Sequence, residues 1–400
     1  MGRSLASQKC AAPAKRLAMD LSDLRIALFS GNYNITLDGA NKALNRLVEY
    51  LQRQGATVRV YSPTVEEPAF EPQGELVSLP SFPIPGRGEY RVPLPFMGAA
   101  KDDLLRFDPH VLHVSAPDPA AHRAVSWARE AGKPVLASVH TRFETYPRYY
   151  KLGFMEPPLV AMLRRFYRRC DALVAPSPSM IEELRAQGMH EDIGLWTRGV
   201  DRTVFDPSRR DPAWRQEYGL AEDDVAIVFL GRLVMEKGLG IFAETMGELT
   251  RRGIKHRVLV IGDGPARDWF ARQMPQAIFA GFQTGPDLGR ALASGDVFFN
   301  PSVTETFGNV TLEAMASGLP VVAAGATGSS SLVSDGETGR LVPPGSATAY
   351  ADALAPYCSD PQLRREHGEA GERRARAYDW DAINGEVAKT YLRLLDRTAG

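Results

Sequence analysis

Hydrophobic positions in this chain fall into short solid runs, separated by longer stretches in which they recur every three or four residues. The first run, Arg25–Ser30, is too uniformly apolar for a strand with one wet face and predicts a strand buried on both sides. The loop Gly31–Gly39 follows. In Ala40–Gln54 the residues Leu44, Leu47, Val48 and Leu51 share one helical face. Thr57–Tyr61 predicts the next strand. The alternation continues through strand Val111–Val114, helix Ala120–Ala131, strand Pro134–Val139, helix Pro158–Arg169, strand Asp171–Ala175 and helix Pro178–Gln187. Strands alternating with amphipathic helices build a parallel sheet covered on both faces.

Two stretches interrupt the rhythm. Pro63–Pro95 is proline-rich and predicts loops with a strand at Glu75–Leu79, either as a mobile, acceptor-facing insertion or as an ordered surface connection. Gly199–Pro207 is rich in turn residues and predicts a linker. Beyond it the pattern restarts with strand Val225–Leu230, helix Leu239–Arg251, strand Arg257–Ile261 and helix Pro265–Gln273. Ala277–Ala280, helix Pro286–Ser294, strand Asp296–Asn300, helix Val310–Ser317 and strand Pro320–Ala324 follow, and helices at Ala347–Cys358 and Asp379–Leu395 close the chain. The predicted organisation is an unstructured leader over 1–22, a first doubly wound domain over 23–198, a second over 199–376, and a closing segment over 377–400. Ligands of such sheets bind beyond the carboxyl ends of the strands, so two facing sheets place the site in the cleft between them.

Composition narrows the class. The 400 residues are 44% hydrophobic and 24% charged, the balance of a globular protein. A net charge of -1 gives no global attraction for nucleic acid. Cys10, Cys170 and Cys358 are far apart and lack metal-ligand spacing, which favours a reducing, cytoplasmic setting. No apolar run reaches the ~18 residues needed to cross a bilayer, and Met1–Asp20 lacks a signal-peptide core.

The chemistry concentrates in two strand-to-helix loops of the second half. Pro301–Glu313 leads from a strand into a helix, with Gly308, Asn309 and Val310 at the helix start, where free N–H groups and the dipole attract an anion. Glu305 and Glu313 flank that point and can accept hydrogen bonds from sugar hydroxyls. In Gly231–Gly238, Arg232 and Lys237 stand between glycines and can clamp a diphosphate. Two acids beside a helix start, or a basic pair in a loop, are each ambiguous alone.

Together the motifs resemble those of the family-4 retaining glycosyltransferases. They are Thr304–Gly308, the seven-residue spacing from Glu305 to Glu313, Ala316–Pro320, and Gly231–Arg232 with Lys237–Gly238. The resemblance extends over nearly the whole chain from about Leu24. It implies the GT-B fold, α/β with two Rossmann-like doubly wound parallel-sheet domains facing an interdomain cleft. It also implies that Arg232 and Lys237 hold a donor diphosphate, that Glu305 and the Phe307–Asn309 backbone meet sugar and phosphate, and that Glu313 takes the ribose hydroxyls.

In the first half, Gly39 corresponds to a glycine whose backbone approaches the donor phosphate, although this chain has Asp38–Gly39 where many relatives have two glycines. His140, in Ser138–Tyr146, corresponds to a histidine bordering the transferred sugar. That stretch is similar to lipid-directed mannosyl and sulfoquinovosyl transferases. The resemblance thus implies a retaining hexosyltransferase that needs no metal or cofactor, the nucleotide-diphosphate sugar being its substrate. GDP-mannose is the first-choice donor, then UDP-glucose or UDP-glucuronate, with a lipid or glycan as acceptor. The closing helix would pack back on the first domain. A non-catalytic sugar-nucleotide-binding protein and an epimerase or phosphorylase on the same fold are the alternatives.

Three further signals read as structural or stay open. Asp379-Trp-Asp381 sits where an N-cap is favoured and reads as a helix start rather than a metal site. Ile261–Gly264 is an incomplete dinucleotide fingerprint. Leu163–Arg169 fits two readings equally, a peripheral contact with the inner face of the cytoplasmic membrane or a solvated face over a buried Leu163, Phe166 and Tyr167 stripe.

Overall fold

Each of the first six apolar runs becomes a strand, and the computed structural model assembles them with neighbours into two parallel sheets. It describes residues 19–36, 38–84, 87–142, 153–326 and 328–399. Most of the expected leader, and the Phe143–Tyr146 part of the His140 motif, lie outside the described residues. The first sheet contains β1 (Arg25–Phe29), β2 (Thr57–Ser62), β3 (Glu75–Ser78), β6 (Val111–Val114), β7 (Val135–Ser138), β8 (Ala172–Ala175) and β9 (Ile193–Leu195). Its order is β3-β2-β1-β6-β7-β8-β9, with every pairing parallel. The second sheet is ordered β12-β11-β10-β13-β14-β15, formed by Ile278–Gly281 (β12), Arg257–Ile261 (β11), Ala226–Leu230 (β10), Val297–Asn300 (β13), Val321–Ala324 (β14) and Gly339–Val342 (β15).

In both sheets the strand order reverses beside the first strand, between β1 and β6 and between β10 and β13. That is the switch point at which loops diverge and leave a crevice. The central strands β6, β7, β8, β13 and β14 are buried on both faces, as their solid apolar runs require. Each sheet therefore carries two cores, one per face. Ala27, Phe29 and Leu112 lie in one core of the first lobe and Ile26, Leu28 and Val111 in the other. Each fully buried Leu, Ile, Val or Phe contributes about 1.5–3 kcal/mol against exposure to water.

Several expectations are corrected. Met19 and Leu21 pack against the core of the first lobe, so ordered chain begins before residue 23. The proline-rich stretch holds an antiparallel hairpin, β4 (Ser81–Ile84) with β5 (Arg87–Pro93), besides β3. It escapes prediction because Pro83 and Pro93 occupy strand positions that only an isolated ribbon tolerates. The helices Ala99–Phe107 and Pro361–Ala375 and the strand β15 were also not foreseen.

The last helix, Trp380–Ala399, leaves the second lobe and lies on the first. Val387, Ala388, Tyr391 and Leu394 join the core formed by Leu24, Leu44, Leu47 and Val58. Asp381 takes a two-pronged ion pair from Arg53, and Asn384 links Trp196 to the Arg46 carbonyl. Asp379 accepts from the Ala382 N–H. Both acids of the D-x-D motif are therefore occupied in holding this helix. The Gly199 backbone passes so close to Trp380 that a Cβ there would stand 2.5 Å from the indole Cγ.

Candidate active site

The loop after β13 is folded by its own side chains. Asn300 accepts from the Ser302 N–H and donates to Thr311 Oγ1, which ties the loop to the helix Asn309–Ala316 that follows. Gly308 enters that helix at φ 96°, a conformation that an L side chain resists, and no side chain caps the helix start. The first-turn N–H groups are thus left to an outside acceptor. Phe307 is buried against Tyr378, so only its backbone can meet a ligand. The Asn309 Oδ1 is buried without a partner, an unmet polar group at the same helix start.

Lys237 reaches this loop from the second one. Its Nζ lies 2.7 Å from Glu305 Oε1. Arg232 is exposed on the same Gly231–Gly238 segment. That segment is held from below by Ile261–Gly264: Gly231 N–H donates to Ile261 O and Leu233 N–H to Asp263 O. A Cβ on Gly262 would fall 2.1 Å from Gly231 O, so the glycines read as a fingerprint fragment let two loops stack. Glu313 lies one turn into the helix. Burial pushes its carboxyl up to about 7, with Lys42 of the first lobe opposing and Glu305 adding to the rise.

The first lobe meets this surface directly. Asp38 caps the helix Gly39–Arg53 by accepting from the Ala40 and Asn41 N–H groups. The aspartate thus occupies two of the first-turn amides with its own carboxylate. Gly39 itself abuts the other lobe, and a Cβ there would stand 2.2 Å from Asn309 Nδ2. His140 follows β7. Its carbonyl accepts from Thr306 Oγ1, and Ser177 Oγ donates to Thr306 O. The lobes therefore touch along Gly39, His140 and Ser177 on one side and Thr306 and Asn309 on the other.

The His140 ring is not idle. Nδ1 is 2.8 Å from Arg198 Nη2 and Nε2 is 2.8 Å from Ser138 Oγ, while Trp196 packs edge-on. Burial, then the Arg198 charge, holds its pKa well below the usual imidazole range. Arg198 was not anticipated, because an arginine just before a turn-rich linker looks like solvated surface. Asp118 was missed as well, since nothing in Pro117-Asp-Pro119 announces its burial. It does cap the helix Pro119–Glu130, and burial also pushes its carboxyl up to about 7.

In the helix Glu156–Tyr167, Leu163, Phe166 and Tyr167 are buried. Arg164, Arg168 and Arg169 bond to Gln187 O, Gly188 O and Ser126 Oγ. The apolar stripe is thus packed into the lobe, and the three arginines are tied to neighbouring segments. Among the described residues no helix is long and apolar enough to cross a membrane.

Uncapped amides beside Lys237 and Arg232 are of the kind that can accept a diphosphate, while Glu305, Glu313, Asn309 and His140 carry groups that can pair with hydroxyls. The family description "Glycosyltransferase Family 4" matches residues 37–204, and "Glycosyl transferases group 1" matches residues 224–360. The chain is 31% identical to a GDP-mannose-dependent alpha-mannosyltransferase of Mycolicibacterium smegmatis, over 94% of this chain and 98% of that protein. It is 30% identical to the sulfoquinovosyl transferase SQD2 of Arabidopsis thaliana, over 91% of this chain and 72% of that protein. Among solved structures, the sucrose-phosphate synthase of Thermosynechococcus elongatus superposes with a TM-score of 0.77 at 20% identity, covering 94% of this chain and all of that one. The Anabaena protein HepE, solved with UDP and glucose, does so with a TM-score of 0.71 at 20% identity, covering 92% and 99%.

Proposed function

The chain belongs to glycosyltransferase family 4 and has its GT-B fold, and from that premise we propose that it transfers a hexose, with retention, from a nucleotide-diphosphate sugar to a membrane glycolipid. The observation that carries this reading is the ion pair of Lys237 with Glu305 at the uncapped start of the helix Asn309–Ala316, closed from the other lobe by Gly39 and His140. A bound diphosphate would take the helix amides together with Arg232 and Lys237. Glu305 would be released towards the sugar, and Glu313, partly protonated near neutral pH, would sit within reach of ribose hydroxyls. Negative charge that develops on the leaving diphosphate meets fixed cations and amides, usually the largest single catalytic effect. In this reading the stabilisation calls for no metal or cofactor. We take the mechanism that the family resemblance implies, front-face attack with the donor phosphate taking the acceptor proton.

GDP-mannose is the first donor we propose, supported by the mannosyltransferase relatives, followed by UDP-glucose and UDP-glucuronate. A lipid acceptor is supported by the exposed Phe154, Met155 and Met162 on the segment that leads through the helix Glu156–Tyr167, and by exposed Met97 over a groove containing Arg123 and Arg169. The corresponding location is cytoplasmic, peripheral at the inner face of the membrane. Donor turnover measured over a panel of GDP- and UDP-sugars, with and without glycolipid-containing vesicles, tests the proposal. Vesicle-dependent transfer from one sugar nucleotide is expected. Tight binding of a sugar nucleotide with no transfer to any acceptor would instead favour a non-catalytic binding protein.

A further inference from the structure

Arg198 is 4% exposed, yet none of its hydrogen bonds to the described residues goes to a carboxylate. Nη1 donates to the carbonyls of Trp196 and Thr197, at 2.9 and 3.2 Å, and Nη2 lies 2.8 Å from His140 Nδ1. The guanidinium also stands over the Trp196 ring, 5.0 Å from its centroid. A buried cation tied to backbone carbonyls and one imidazole is expensive unless it has work to do.

The contact fixes the state of the imidazole. A guanidinium can only donate, so His140 Nδ1 must accept and carry no proton. The ring proton is then on Nε2 and points to Ser138 Oγ. Protonating Nδ1 would set two donors against each other. The ring cannot easily turn away, because Trp196 packs edge-on at 5.4 Å and the His140 carbonyl is held by Thr306. The charged and titratable groups facing this histidine are Arg198, from the segment after β9, and His113, from β6. His113 is fully buried, shares a hydrogen bond of 2.6 Å with the Tyr391 hydroxyl, and is pushed by burial down to about 3, so it is neutral. Burial lowers Arg198 to about 10, and the charge of Asp38 works the other way, favouring the guanidinium.

We propose that Arg198 is a positioning residue: it holds His140 as a single neutral tautomer, protonated at Nε2, whose N–H switches its hydrogen bond from Ser138 Oγ to the oxygen of a hydroxyl on the bound sugar. The proposal rests on the reading of the cleft as a sugar-nucleotide site only for the last step. The tautomer itself is a property of the unliganded protein. Arg198 touches no substrate in this scheme and acts through the imidazole.

Imidazole nitrogen chemical shifts of His140, recorded on the histidine-labelled protein between pH 5.5 and 8, test the first part. One neutral form with Nε2 protonated, unchanged across that range, is expected. A His140 that titrates between 6 and 7, or that carries its proton on Nδ1, overturns the proposal whatever the enzyme transfers. Arg198→Leu, which removes the donor, is expected to leave Nδ1 unpaired and to raise the His140 pKa by the share due to the guanidinium while burial still holds it down, and to lower kcat about 10²-fold with little change in KM. Arg198→Lys, which keeps a donor, should retain the tautomer and recover part of kcat. Unchanged kcat and unchanged His140 shifts in a folded Arg198→Leu protein would also overturn it. If that variant does not fold, the wild-type shifts and Arg198→Lys decide.

Discussion

Replacing Gly39 with alanine changes one hydrogen into a methyl group at the point where the lobes meet. The added Cβ would lie 2.2 Å from Asn309 Nδ2, against the roughly 3.5–4.0 Å at which carbon contacts are favourable. Either the Asn309 amide rotates out of the helix start or the lobes separate by more than about 1 Å. Misplacement of that size costs on the order of 10²-fold in rate, about 2.7 kcal/mol of transition-state stabilisation. The fold should hardly notice, because the residue opens a helix at ordinary φ and alanine is the better helix former. Steady-state kcat/KM with the active sugar nucleotide, alongside thermal unfolding, reads both effects. Asn309→Ala removes the opposing amide, so the double variant should be no worse than Asn309→Ala alone, a non-additivity that identifies the collision as the cause. Wild-type kcat/KM in a folded Gly39→Ala protein would show that catalysis does not use the approach of the two lobes seen here.

Glu305→Ala is expected to lower kcat/KM by at least about 10²-fold at nearly unchanged melting temperature, since a partly exposed ion pair such as that with Lys237 contributes at most about 1 kcal/mol. Normal turnover by that variant would remove Glu305 from the site. Asp118, raised in the folded protein from an ordinary value near 4 to about 7, favours the protonated native state. Its contribution is complete below the unfolded value and is lost as pH rises through about 7, so Asp118→Asn, which can still cap, should flatten the fall in melting temperature between pH 5 and 8. An identical pH dependence in variant and parent would refute this. Gly199→Ala drives a methyl into the Trp380 ring and should lower the denaturant midpoint, by about 1–3 kcal/mol in stability; an unmoved midpoint would mean that Trp380 yields freely.

The repeating strand–helix pattern was legible because these strands are buried on both faces, and a solid run such as Val297–Asn300 has few other solutions. The hairpin β4–β5 was not, since its prolines and half-exposed residues leave no period to read. At the site, the Pro301–Glu313 and Gly231–Gly238 loops could be recognised because strand-to-helix turns with glycine, acids and bases are local in sequence. The pairing of Lys237 with Glu305 spans 68 positions and that of Arg198 with His140 spans 58, and nothing in either segment alone announces its partner. The caps at Asp38 and Asp118 went unread in the sequence, and the burial that shifts the Asp118 carboxyl depends on tertiary surroundings.

The helix Trp380–Ala399 completes a core whose other members are made more than a hundred residues earlier. A ribosome therefore delivers the first lobe with an open apolar face and with His113 still lacking the Tyr391 hydroxyl. That face stays uncovered while the whole second lobe is synthesised and folds. At common elongation rates of about 5–20 residues per second, the interval from Leu195 to Tyr391 lasts roughly 10–40 seconds. During that time the nascent first lobe is the natural client of a chaperone, and its maturation is timed by the end of translation rather than by its own emergence.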